Sequence, residues 1–176
     1  MNKLFFGFLL IFVNFHLTFN GHTLNILPDW AGYCLIYSGL NDLLDEGEHF
    51  PLAKPWCLAM VIYTAAVWAV QLIFGSVKLA IIGPILSLIA TLVSLYVSYL
   101  ILLGIADIEK NRGVNLEQAK LMQIWKIFAV CTLVASILLF MPALAVVAAI
   151  VAVVAIIIFL VRFNRTRRAY NALSGV

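Results

Sequence analysis

The chain has 176 residues, of which 65% are hydrophobic and only 11% charged, and its net charge is +3. A soluble domain of this length needs far more polar surface to cover its core, so the composition and a mean hydropathy of +1.10 predict a polytopic membrane protein. No polar stretch exceeds a short loop, which excludes an attached soluble domain, and the small positive charge sits at the ends rather than on a nucleic-acid surface.

The first apolar segment covers residues 4–19. Lys3 followed by an apolar run imitates a secretory signal, but no small-residue A-x-A-like site follows, so the reading is a retained first helix with cleavage as the alternative. Asn14, His16, Thr18 and Asn20 alternate with Phe15, Leu17 and Phe19. Even-numbered positions do not share a helical face, so this end is either unwound or presents amide and imidazole groups to neighbouring helices. Residues 28–44 form a second, short segment diluted by Gly32, Ser38, Gly39 and Asn41. It is a span, or a re-entrant segment that would leave five spans in all.

A third segment, 52–74, follows Pro51 and Pro55, and a fourth covers 79–105. Residues 127–161 are one uncharged block, and a single helix through it would be about 50 Å long at 1.5 Å per residue, against a hydrocarbon core of about 30 Å. Met141-Pro142 divides the block into spans 121–141 and 143–163, since proline removes a backbone donor. A basic tail, 164–176, closes the chain. Long unbroken runs rather than alternating ten-residue strands predict helices and not a barrel. The expected architecture is all-α: one domain, 1–176, built as a bundle of six transmembrane helices.

Lys and Arg placement gives the orientation. With six spans, Lys3, Lys54, Lys110, Arg112, Lys120, Lys126, Arg162, Arg165, Arg167 and Arg168 share one side, and Lys78 alone lies on the other. Both termini are therefore expected in the cytoplasm of a cell-membrane protein. Asn115 and Gln118 match a capping-box spacing, so the fifth helix is expected to start in the cytoplasm and enter the membrane at Leu121.

Few residues offer chemistry. Asp29, at the outer start of the second span, either caps that helix or joins His16, His22 and Asn14 in a polar site for a proton or cation. In the fourth span Gly83, Ser87, Thr91, Ser94 and Ser98 recur at helical spacing, a face for packing or for lining a polar path, with Gly83-Pro84 able to kink the helix. Ala145, Ala148, Ala149, Ala152 and Ala155 make a second smooth face. Arg162, Arg165, Arg167 and Arg168 are expected at anionic lipid headgroups. Asp42, Asp45, Glu46 and Glu48 form an acidic loop beside His49, read as solvated. Cys34, Cys57 and Cys131 fall in separate segments and behave as small hydrophobes. Nothing matches a nucleophile elbow, a phosphate loop, H-E-x-x-H or paired catalytic carboxylates, so no catalytic, cofactor or metal residue is assigned.

Residues 24–55, "LNILPDWAGYCLIYSGLNDLLDEGEHFPLAKP", carry an "LPD-aromatic-x-G-Y" opening, a "GL" pair and a following "AKP". This stretch, about a fifth of the chain, resembles a group of small integral membrane proteins from Firmicutes. Trp30 and Cys34 stand where that pattern has Phe and an aliphatic residue. The resemblance implies a Gram-positive cell membrane and no nameable activity. The expected function is non-enzymatic: an accessory or structural membrane subunit contacting lipid and another membrane protein or itself through its helices. The alternative is a small transporter or channel for a proton, cation or small solute, with Asp29, His16, His22 and the hydroxyl face of the fourth helix on its path.

Overall fold

A computed structural model describes residues 1–12, 16–19, 22–25, 29–74, 82–137 and 142–174. Among these described residues six helices follow in order: α1 (Asn2–Phe12), α2 (Asp29–Asn41), α3 (His49–Phe74), α4 (Ile82–Arg112), α5 (Gln118–Ile137) and α6 (Pro142–Ser174). Between α1 and α2 lies a two-stranded antiparallel hairpin, β1 (His16–Phe19) and β2 (His22–Asn25), in the register His16–Asn25, Leu17–Leu24, Thr18–Thr23 and Phe19–His22. Each helix packs on the next in sequence, and α1 also packs on α6, closing a ring.

The helical class agrees with the expectation from composition; several boundaries do not. The first segment, expected helical over 4–19, ends as a helix at Phe12 and continues as a strand from His16. Two residues, Asn20 and Gly21, separate the paired Phe19 and His22, and Asn-Gly is the dipeptide that two-residue hairpins favour. That signal, together with the polar–apolar alternation before it, marks a strand period rather than a helical one. The second segment is helical only over 29–41, and turns follow it. At 1.5 Å per residue α1 and α2 rise about 16 and 20 Å, short of a hydrocarbon core of about 30 Å. Among the described residues, His49–Val70 of α3 and Ile85–Arg112 of α4 are long and apolar enough to cross a membrane. α1 is apolar but shorter.

Three prolines sit in first turns, where helices tolerate them, whereas Pro55 lies inside α3. Pro142 is the first residue of α6 and Pro51 lies in the first turn of α3, where no intrahelical N–H bond is lost. Pro84 likewise falls in the first turn of α4 as described, Ile82–Arg112, and residues 79–81 of the expected span lie outside the described residues. At its other end α4 runs seven residues past the expected boundary, to Arg112, and Gly113 ends it in the left-handed region at φ +62°. The Val114 N–H then reaches the carbonyl of Glu109 at 3.2 Å, a Schellman closure. Residues 164–174 of the basic tail are helical and belong to α6, which is continuous to Ser174.

Ring and aliphatic side chains fill the bundle. Leu4 and Phe8 of α1, Ile36 and Leu40 of α2, Phe50 of α3, Ile101 and Ile105 of α4, and Phe159 and Phe163 of α6 are all buried. Phe8 meets Phe159 and Phe163 edge-on at 5.7 and 5.3 Å, and Phe12 meets Phe128 of α5 at 5.4 Å. Such pairs contribute about 0.5–1.5 kcal/mol each beyond their buried area. α1 thus buries one face, Leu4 and Phe8, in the bundle, while Phe6 stays exposed.

α1 and α2 meet at glycines. A Cβ added at Gly7 would lie 2.8 Å from the carbonyl oxygen of Gly32, and one added at Gly32 would lie 3.0 Å from that of Gly7. Only hydrogen fits on either side, which sets how closely the two backbones approach.

Candidate functional site

Among the described residues the ion pairs gather at one end of the bundle, where α1 starts and α6 ends. Asn171 donates to the Asn2 side chain at 2.8 Å, and Lys3 pairs with Asp42 at 2.7 Å. The guanidinium of Arg112 grips Glu46 through two nitrogens. Tyr170 adds its hydroxyl to Glu46 at 3.1 Å, and Arg112 lies over the Tyr170 ring. Burial, then the neighbouring Glu46 carboxylate, raises the Tyr170 phenol above its ordinary range.

Two carboxylates one turn from the end of α4 serve the helices on either side. Asp107 Oδ2 accepts from the backbone N–H of His49, the first residue of α3, at 3.1 Å and lies 2.7 Å from His49 Nδ1. Glu109 Oε1 accepts from the backbone N–H groups of Leu116 and of Gln118, the first residue of α5. Both caps therefore come from α4 rather than from local sequence. The expected box of Asn115 and Gln118 is replaced: Asn115 Oδ1 accepts from Glu117 N at 2.9 Å, and the Gln118 side chain donates to the Leu102 carbonyl at 3.1 Å. Glu117, with φ 58°, takes the left-handed step that turns the chain into α5. The acidic loop read as solvated is in part a binding element of the fold, since Asp42 and Glu46 are paired while Asp45 and Glu48 are exposed.

The hydroxyl stripe of α4 divides into two halves. Towards the helix start, Ser87 is exposed and Thr91 donates back to the Ser87 carbonyl at 2.9 Å. Deeper, Ser94 accepts from the Tyr33 hydroxyl of α2 at 2.8 Å. Ser98 is buried, donates to the Leu95 carbonyl at 2.9 Å and accepts from the Trp125 indole N–H of α5 at 2.8 Å. Gly83 lies in the first turn of α4. Tyr33 and Trp125 are the partners sequence reasoning missed; an aromatic residue with a polar tip on a facing helix is the only signal that could have suggested them.

Of the residues of the outer site, the side chains of His16 and His22 lie outside what is described. Asp29 is the first residue of α2, where a carboxylate meets the positive end of the helix dipole. His16 and His22 lie on different strands, opposite Asn25 and Phe19. Asn14 lies outside the described residues, as do Met141 and the side chains of Ala145, Ala148 and Ala149. Among the described residues no three His, Cys, Asp or Glu side chains are placed to hold a metal ion.

The arginines of the last helix have different surroundings. Arg162 donates to Glu117 at 3.3 Å, and Arg167 stacks over Phe5 with its guanidinium 4.5 Å from the ring centroid. Arg165 and Arg168 are exposed. Compared with protein-family models, with curated proteins and with solved structures, the chain matches none of them.

Proposed function

We propose that this chain is a multi-pass protein of the cell membrane that carries no enzymatic activity and acts through helix–helix contacts, as an accessory or structural subunit. The observation that carries the reading is where the apolar side chains are. Leu58 and Ile62 of α3, Leu88 and Ile89 of α4, Val130 of α5 and Ile157 of α6 are all exposed on a bundle whose interior is already filled. An apolar belt around four helices exceeds what a water-soluble monomer exposes, and a bilayer covers it without loss. The hydroxyls of Ser94 and Ser98 are engaged by Tyr33 and Trp125, which favours a packing role for that stripe over a polar path.

In this reading the end where α1 starts and α6 ends, with the 41–49 and 112–118 connections, is cytoplasmic, as the Lys and Arg bias requires. The resemblance of residues 24–55 supports a Gram-positive cell membrane. Reporter fusions after Gly47 and after Gly113 are expected to read cytoplasmic, and the protein to stay with the membrane through an alkaline wash. Release by that wash overturns the membrane reading. An external reading after Gly47 overturns the topology. Solute flux in liposomes, lost in Asp29→Asn with the fold intact, would make it a transporter instead.

A further inference from the structure

The outward face of α6 changes character at one point. Ile150, Val154, Ile157, Ile158 and Val161 are exposed along it. Arg165 and Arg168, also exposed, continue the same face at steps of four and three residues. The opposite face carries Phe159, Phe163, Thr166 and Tyr170, all buried.

The other two arginines of the run lie on the flanks, where the protein itself uses them. Arg162 reaches Glu117, and Arg167 stacks over Phe5 and Phe6 at 4.5 and 5.7 Å. Four carboxylates of this end are engaged elsewhere: Asp42 by Lys3, Glu46 by Arg112, Asp107 by His49, and Glu117 by Lys120 and Arg162. Among the described residues no carboxylate lies within ion-pair distance of Arg165 or Arg168.

We infer that Arg165 and Arg168, and not the whole arginine run, form a docking surface for an anionic phospholipid. The two guanidinium groups take its headgroup phosphate while an acyl chain lies along Val161, Ile158 and Val154. Planar guanidinium forks match phosphate oxygens, and the pair sits where an aliphatic stripe ends. A free phosphate would use the arginines alone; a phospholipid uses both parts of the face. The inference rests on the membrane reading above.

The test uses the full chain in nanodiscs of phosphatidylcholine alone and of phosphatidylcholine mixed with phosphatidylglycerol. Co-purified lipid is counted by native mass spectrometry, and Tm is recorded in both. Wild type is expected to retain phosphatidylglycerol in preference to phosphatidylcholine. R165Q/R168Q should lose that preference by roughly thirtyfold, the equivalent of about 1 kcal/mol for each basic residue at an anionic surface, with Tm in phosphatidylcholine unchanged. R162Q/R167Q should keep the preference and melt lower in both lipids. Retention of the preference in R165Q/R168Q overturns the inference, as does its equal loss in a folded R162Q/R167Q. An inserted wild type without lipid preference overturns this inference and leaves the membrane reading standing. A wild type that an alkaline wash strips from membranes overturns both.

Discussion

Asp107 holds His49 twice with one oxygen, at 3.1 Å from the backbone nitrogen and 2.7 Å from Nδ1, across 58 residues of sequence. The contact caps α3 and ties its start to α4. It is possible because Gly47 brings the connecting chain against Asp107: a Cβ there would lie 2.7 Å from the Asp107 Cβ. Asp107→Ala should cost about 1–3 kcal/mol, combining a lost cap with an unpaired donor. Asp107→Asn keeps an oxygen for the N–H group and should cost less. Urea or thermal unfolding in detergent measures both; equal and negligible losses would show that α3 does not depend on this cap.

The α1–α2 contact leads to a second prediction. Gly7→Ala and Gly32→Ala each place a methyl against a backbone carbonyl of the facing helix, which cannot swing aside as a side-chain tip does. Overpacking of this kind costs about 1–3 kcal/mol. The two changes act on one crossing, so their combination should cost less than the sum. A double-mutant cycle on melting temperature checks this, and full additivity would mean that the glycines act independently.

The hydroxyl stripe of α4 supplies a third. Tyr33→Phe and Trp125→Phe each leave a serine hydroxyl without its aromatic partner and should cost about 1 kcal/mol. Ser94→Leu forces a branched side chain against Tyr33 and should cost about 1–3 kcal/mol. Unchanged stability in Ser94→Leu with altered conductance in planar bilayers would remove the packing role and favour a pore.

A fourth concerns acid. The hydrogen bond from Lys120, then its charge and that of Arg162, hold the Glu117 carboxyl below the usual glutamate range. A folded-state pKa below the unfolded one means that the stabilisation is present above the ordinary glutamate pKa and is lost as pH falls through the folded value. Glu117→Gln should therefore melt slightly below wild type at neutral pH, and the two curves should converge on acidification. The gap should be small, because the pair is solvent-exposed and salt-screened. A gap that persists under acid would show that the charge of Glu117 is not its source.

Much of the architecture was legible along the chain. Long uncharged runs mark α3 and α4, and prolines mark where α6 and the first turns of α3 and α4 begin, because hydropathy, helix length and a missing N–H are local properties. The serine and threonine spacing on α4 was equally readable, since residues three and four apart share a helical face. The hairpin at 16–25 was half legible: its alternation and its Asn-Gly pair are in the sequence, but a neighbouring apolar run outweighed them. What each polar group does was decided only in three dimensions. Ser94 and Tyr33 are 61 residues apart, Thr166 and Leu116 are 50 apart, and Tyr170 and Glu46 are 124 apart. The same holds for the arginines: four stand in seven residues, yet helical rotation and the position of Glu117 and Phe5 turn two inward and leave two exposed. Charge and hydropathy act residue by residue and can be counted along a chain. A hydrogen bond or ion pair requires two groups within a few ångströms and correctly aimed, and that is set by how the helices pack.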